Sequence, residues 1–457
     1  MTEQPRSGVD GERVRELKNA EDARFAAAHP KSAALIERGR AVMPNGVPMA
    51  WQIGSYHHLP MWVAEGKGTR LVDVDGNVYV DFNIADLSMF CGYAPEPIVR
   101  AVSEQMARGN QFLLPTEDAI VVSEELGRRW GLPKWQYTSS ATHANTEAIR
   151  VARVATGREK VLMFEGKYHG HLDEALVELD ADGRVVTEER GVPADTVGGT
   201  VLVPFNDVPA LELALERRDI ALVLTEPAIT NNIGLLLPDD EFHAALRRLT
   251  REAGTLLAYD ETHTHVVGVG GLVRQWDLKP DLLTTGKSIA GGLPFGAWGM
   301  TDEIAELLVQ RKGPDGERAN LVATGGTIFG NALSMAAARA ALFEILTPEA
   351  YAHTQRLGAR LAGGMRASVE AHGLPWHIPL LGPRSGYTFQ PTPIRSGAEG
   401  FAAADELLTR LIRVWLANRG VWEAIVGAGP VCGVPCSDED VDAYLAGWDS
   451  LLVALTA

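Results

Sequence analysis

From about residue 134 onward, short runs of consecutive apolar residues alternate with longer stretches in which apolar positions recur every three or four residues. "KWQYTSS" is followed by "ANTEAIRVARVATG" and then "KVLMFEG"; later "VPALELALERR" precedes "IALVLTEPA", and "FHAALRRLTREAG" precedes "TLLAYDETHT". The short runs, apolar on both faces, predict strands covered on both sides, and the longer ones predict amphipathic helices. Their alternation predicts an α/β fold, with a mostly parallel sheet covered by helices as the large domain. Ahead of it, "MWVAEGKGTRLVDVDGNVYVDF" alternates around Asp75-Gly76 as a hairpin does. The first forty or so residues set charges and alanines at helical spacing behind a polar tail, which predicts a helical arm. From "ALFEILTPEAYAHTQRLGARLAGG" onward, helix, short strands and helix predict a smaller α+β domain. The expected divisions are 1–62 for the arm and part of the small domain, 63–340 for the large domain and 341–457 for the small domain. Lys312 to Asn320, "KGPDGERAN", reads as a loop insertion.

A length of 457 residues agrees with two domains. The formal net charge of −17 argues against nucleic acid as a partner, since phosphate backbones require a basic surface. There is no run of about 18 apolar residues and no charged-then-apolar leader, so a cytoplasmic chain without membrane partners is expected. Only Cys91, Cys432 and Cys436 occur, too few for a disulfide framework. Cys432 and Cys436 lack a neighbouring histidine pair, so burial in a C-terminal strand region, and no metal site, is expected.

In such sheets ligands bind beyond the carboxyl ends of the strands. Thr138, Ser139 and Ser140 follow a strand at Tyr137 and lead into a helix near Asn145. Hydroxyls and backbone N–H groups there suit a phosphate, and they also suit an ordinary N-cap. Asp260 ends an apolar run, where an ionised carboxylate is costly unless it meets a cation or proton donor. A protonated ring nitrogen, a structural ion pair or a helix cap would each meet that need. Glu226 ends another run, before Pro227. Lys287 ends "LLTTGK" beside glycines that let a ligand approach, and a lysine in an apolar pocket can form a Schiff base with a carbonyl. A phosphate cradle, a carboxylate for a pyridinium nitrogen and an amine for an aldehyde together match pyridoxal 5'-phosphate (PLP).

The series "GTRLVDVDGNVYVDF", "SATHANTEAIRVARVATGREKVLMFEGKYHGH", "LTEPA", "YDETHT", "TTGKSIAGGLPFGAWGM" and "TGGTIFGNALSMAA" covers nearly the whole chain. It resembles the class III aminotransferases of PLP fold type I, especially the glutamate-1-semialdehyde aminomutase branch and related amine and β-amino-acid transaminases. The resemblance implies that Lys287 is the Schiff-base lysine and that Asp260 pairs with the pyridine nitrogen. It implies that Ser140, Ala141 and Thr142 form the phosphate cradle, that Tyr168 stacks on the ring and that Glu226 joins the polar network beside Asp260. Thr327 resembles the threonine that reaches the neighbouring subunit's phosphate, which implies a homodimer.

Three positions depart from the family pattern. Ala141 replaces the usual cradle glycine, so its backbone must forgo positive φ or bear strain. Thr262 replaces a valine that packs on the ring and offers a hydroxyl there; His263 and His265, on the same loop, are expected at the surface. In "PNGVPMAWQIGSYHH", Trp51 and Gln52 stand near the point where the aminomutase branch supplies an arginine for a substrate carboxylate. Without that fork an apolar or aromatic amine donor is favoured, unless Arg384 or Arg395 swings in. Trp51, Tyr56 and Phe90 are the candidate substrate-pocket side chains. The expected activity is ping-pong transfer of an amino group from an amine or amino acid to an oxo acid or ketone. An aminomutase-type shift or racemisation stays open within PLP chemistry. A catalytically silent PLP-fold binding protein is the reading of another class, disfavoured because Lys287 and Asp260 are both present.

Overall fold

A computed structural model describes residues 7–54, 60–180, 182–230, 233–309, 311–312, 318–319, 322–423 and 429–457. Asp75-Gly76 turns the chain between strands as its dipeptide predicts, with Gly76 at φ 97°. Strands β1 (Val63–Lys67), β2 (Arg70–Asp73) and β3 (Val78–Asp81) pair antiparallel in sequence order, and Val421–Trp422 adds a parallel partner to β3. That last pairing fastens residues far apart in sequence into one unit. The described residues of Met1–Pro95, Ala352–Pro393 and Phe401–Ala457 form it, and those of Glu96–Tyr351 and Ile394–Gly400 form a second unit. The expected divisions after residues 62 and 340 therefore shift, because the early strands pair with the C-terminal segment rather than with the large sheet. The arm is helical over Gly11–Ala28 and Pro30–Arg40, and its Phe25 joins Tyr79, Phe82, Leu411 and Trp448 in the first unit's core.

The second unit is built on seven strands: β4 (Lys134–Thr138), β5 (Lys160–Phe164), β6 (Thr200–Val203), β7 (Ile220–Thr225), β8 (Leu256–Asp260), β9 (Leu282–Gly286) and β10 (Gly296–Met300). Their spatial order is β4-β10-β9-β8-β7-β5-β6. All pairings are parallel except the two made by β10, which runs antiparallel between β4 and β9. Every residue of β7, β9 and β10 is buried, which is why these segments read as unbroken apolar or small-residue runs. Helix α1 (Ala141–Thr156) follows β4 and packs Ala144, Ala148 and Val151 into a core with Leu222, Ala258, Leu282 and Trp298. The fold is thus α/β with a mostly parallel, helix-covered sheet, and the carboxyl ends of β4, β7, β8 and β9 point the same way.

Arg311–Lys312 pairs with Arg318–Ala319 at the edges of the expected loop insertion, most of which lies outside the described residues. Cys91, Cys432 and Cys436 are all buried. Cys432 and Cys436 lie in an irregular stretch before the last helix (Asp438–Thr456) rather than in a strand. Among the described residues no helix is long and apolar enough to cross a membrane, and no three His, Cys, Asp or Glu side chains group to hold a metal ion.

Small residues let β10 pass close to the end of β4. A Cβ on Gly296 would stand 2.2 Å from the Ser140 carbonyl oxygen and 2.3 Å from Thr138 Oγ1. Gly296→Ala should therefore destabilise the fold by about 1–3 kcal/mol, read from urea midpoints. Gly198→Ala, where a Cβ meets nothing within 4 Å, should leave the midpoint nearly unchanged.

Candidate active site

Three neighbouring strands deliver the polar residues singled out in the sequence. Glu226 follows β7, Asp260 ends β8 and Lys287 follows β9, with Asp260 in register with Thr284 across the β8–β9 pair. Lys287 is partly buried and holds a left-handed backbone, φ 50°, a conformation that costs a side-chain-bearing residue roughly 1–2 kcal/mol. Gly286 brings this lysine against the start of α1: a Cβ at Gly286 would lie 3.3 Å from the Ala141 Cβ and 3.4 Å from its nitrogen. Ser140 caps α1 by accepting from the His143 N–H at 3.3 Å. Ala141 and Thr142 are the first helical residues, so their N–H groups have no acceptor within the helix, an arrangement that suits an anion. Ala141 is absent from the positive-φ residues. Of the two outcomes expected there, the backbone forgoes positive φ and bears no strain. The helix starts at Ala141, four residues ahead of the Asn145 region expected from the sequence.

Asp260 is 2% exposed and accepts three hydrogen bonds. His169 Nδ1 and Asn145 Nδ2 each donate to Oδ2 at 2.9 Å, and the Thr262 N–H donates to Oδ1 at 3.0 Å. Burial pushes its carboxyl upward, but the bond and electrostatic pull of His169, then the bonds from Thr262 and Asn145, prevail and hold it at about 2. Asn145 is itself fixed: it also donates to the His169 carbonyl at 2.8 Å and accepts from Thr284 Oγ1 at 2.6 Å. The carboxylate stays ionised and, with four lone-pair sites against three donors, has capacity for one more proton donor. A pyridinium N–H fits that vacancy of bonding, as a phosphate fits the start of α1 and an aldehyde fits Lys287. This donor set suits PLP.

The loop after Asp260 is more enclosed than expected. Glu261 is fully buried, accepts from the Thr264 hydroxyl and from the Val273 N–H, and is pushed up to about 7 chiefly by burial, with the Asp260 charge adding to it. His263 and His265 are 5% and 0% exposed, so the expectation of surface histidines is corrected. The loop folds inward as a 3-10 turn, Thr264–Val267, rather than running over the surface. Thr262 is partly exposed, and Glu226 is 2% exposed and accepts from Thr230 Oγ1 at 2.5 Å.

Tyr168 is partly buried and adjoins His169. Gly170 (φ 93°) packs the same loop onto the cradle, where a Cβ would meet Thr142 Oγ1 at 2.2 Å. Thr327 is exposed, and its carbonyl accepts from Gln111 Nε2. Trp51 is 44% exposed in the first unit, whereas Phe90 has no exposed surface and packs there rather than lining a pocket. Tyr56 lies outside the described residues. Arg384 is fully buried in the first unit, and Arg395 lies on the surface of the second, paired with Asp239 at 2.6 Å. Sequence reading missed Asn145 and His169 as the groups that steady Asp260. The signal for Asn145 was an amide on the apolar face of α1, between Ala144 and Ala148.

The folded value of Asp260 lies below the unfolded value of roughly 3.9, so its contribution to stability is present above that pH and fades as pH falls toward about 2. Asn145→Ala removes one donor and should raise that folded value. Its stability deficit against the parent should be widest near neutral pH and narrow as pH drops from about 5 toward 3, measured by urea midpoints across that range.

Residues 53–395 match the family Aminotransferase class-III. The chain is 36% identical over 352 residues to a glutamate-1-semialdehyde 2,1-aminomutase of Anaeromyxobacter sp. (strain Fw109-5), covering 76% of this chain and 80% of the relative. A crystal structure of a glutamate-1-semialdehyde-aminomutase from Pseudomonas aeruginosa PAO1 matches with TM-score 0.93 and 39% identity, over 98% of this chain and all of that one. A β-phenylalanine aminotransferase from Variovorax paradoxus matches with TM-score 0.86 and 28% identity, over 96% of this chain and 97% of that one. With the sheet order, the strand-end residues and these likenesses in agreement, the chain belongs to the class III aminotransferase family, whose cofactor is PLP and whose fold is type I.

Proposed function

We propose that the protein is an aminotransferase that takes an amino group from an amine, or from an amino acid, and passes it to an oxo acid or ketone in two half-reactions. The surroundings of Gln52 carry this reading. Gln52 borders a cavity of about 460 Å³ in the first unit, walled by Val47, Met61, Trp62 and Trp422. Among its described lining residues there is no arginine or lysine, and Asp81 supplies a carboxylate. The described walls of that cavity are thus largely apolar and aromatic and hold no fork for a carboxylate, which supports an amine donor over an amino acid.

PLP, when bound, offers an aldehyde for amines and a ring that takes up electrons from the substrate carbon. Lys287 would hold that aldehyde and, once displaced, move the proton of the substrate carbon. Asp260 would keep the ring nitrogen protonated, which is why its own charge must survive burial. Ser140, Ala141 and Thr142 would hold the phosphate, Tyr168 would cover the ring, and Glu226 and Thr262 would flank it. Thr327 would serve the neighbouring subunit of a homodimer. Supporting this, Thr327 and the adjacent Ile328 are exposed, and Gln111, which bonds Thr327, leads into exposed Phe112, Leu113 and Leu114. Such an apolar surface suits a contact between copies.

A second reading, an internal amine shift of the aminomutase kind, is favoured by the 39% identity to the Pseudomonas aeruginosa protein. The absorbance of the purified protein divides the two. A visible band that fades with 1-phenylethylamine and returns with pyruvate is expected for the aminotransferase. A band untouched by the amine would shift the reading to amino-acid donors or to the aminomutase, and no band even after adding PLP would overturn the role of Lys287. In light scattering the parent should have twice the chain mass, and Leu114→Asp, an exposed site, should halve it while leaving the far-ultraviolet circular dichroism unchanged.

A further inference from the structure

The last ladder bond between β8 and β9 runs from the Glu261 N–H to the Thr284 carbonyl, at 2.8 Å. Beyond it the two chains part. One enters the turn Thr264–Val267, and the other enters the turn Lys287–Ala290. The imidazole of His265 bridges them. Its Nδ1 lies 3.0 Å from the Glu261 carbonyl oxygen and its Nε2 lies 2.6 Å from Ser288 Oγ, with both His265 and Ser288 at 0% exposure. A carbonyl only accepts, so Nδ1 bears the proton; Nε2 then accepts from the Ser288 hydroxyl. The ring is bonded at both nitrogens, and its pKa, lowered to about 4 chiefly by burial, keeps it neutral at pH 7.

The two anchor points are informative. Glu261 directly follows Asp260, and Ser288 directly follows Lys287. We propose that His265 is a positioning residue for Lys287, acting through Ser288: it ties the residue after the carboxylate to the residue after the lysine. The tie fixes the spacing of the two groups that must meet opposite parts of one cofactor, and it holds Lys287 in its left-handed backbone conformation. The charges acting on the ring are the Lys287 cation and the Asp260 anion. Burial first, and then Lys287, push the imidazole down to about 4 against the opposing pull of the Glu261 and Thr262 carbonyls and of Asp260, so the tie persists at neutral pH. This inference rests on the reading of Lys287 as the cofactor-bonded lysine.

The test is a pH titration of the visible absorbance band in PLP-loaded parent, His265→Ala, Ser288→Ala and the double variant, with kcat and KM measured alongside. Each single variant should move the band's midpoint by about half a pH unit or more. The double variant should move it no further than either single, because one tie is lost in each case. Turnover should fall about tenfold with KM little changed. A residue that merely stabilised the fold would lower the unfolding midpoint and leave the band's titration where it was. Should His265→Ala fail to fold, Ser288→Ala removes only a hydroxyl and tests the same tie. Variants that load PLP and titrate as the parent does, or shifts that add in the double variant, overturn the tie alone. A parent without any band overturns the reading of Lys287 and the tie together.

Discussion

The carboxylate of Asp260 has to stay ionised in a place from which water is excluded, and much of the second unit is arranged around that requirement. Burial alone pushes its carboxyl upward. Three donors outweigh this, and each comes from a different piece of chain: His169 from the loop after β5, Asn145 from inside α1, and the Thr262 N–H from the turn that follows. Asn145 can serve only because Thr284 of β9 holds its other end, so the amide is oriented before any ligand arrives. Breaking one member would leave a buried polar group unpaired as well as weakening the charge, which makes the cluster more cooperative than its three bonds taken singly.

The same economy of space governs the approach of the other groups. Placing an antiparallel strand, β10, between two strands that run parallel to each other brings the end of β4 beside the end of β9. Gly286 and Gly296 make that approach close enough for the start of α1 to stand against the lysine. The positive end of the α1 dipole therefore stands beside the backbone that carries Lys287, and a phosphate at the helix start would leave the lysine amine to the aldehyde. Helix direction, strand direction and two missing side chains act together; no single one of them would make the site.

The strand-end residues were legible in the sequence because β7, β8 and β9 are covered on both faces. A charged group that closes an unbroken apolar run stands out, and Glu226, Asp260 and Lys287 all do so. The features that escaped notice depend on partners remote in sequence. Asn145 is recognisable as functional only through Asp260 and Thr284, which lie 115 and 139 residues away. In sequence His265 reads as an ordinary loop histidine because its partner Ser288 lies 23 residues on. The division into units was missed for a related reason: it hangs on a strand of two residues, Val421–Trp422, too short to show a pattern. Ala141 shows the reverse. In place of a family glycine it has either to forgo positive φ or to bear strain, and as the first residue of α1 it takes the first course.

Proteins described as an aminomutase and as an aminotransferase both superpose on this chain, with TM-scores of 0.93 and 0.86. The frame that holds the cofactor thus serves different outcomes, as expected when fold fixes the site's position and side chains fix its chemistry. In the function proposed for this chain, the carboxylate, the helix N-terminus and the lysine would all serve the cofactor. Selection of a substrate would then fall to other side chains, and Gln52 is the one we propose for it. Arginine there would bind a carboxylate in bidentate fashion and hold an amino acid in register; glutamine offers a neutral amide with one donor group and one acceptor. Glutamine in place of arginine removes a positive charge and shortens the reach while keeping a hydrogen-bonding group. On that proposal, discrimination between amine and amino acid would rest on whether a carboxylate finds any cation at all, a difference that the cofactor frame itself cannot supply.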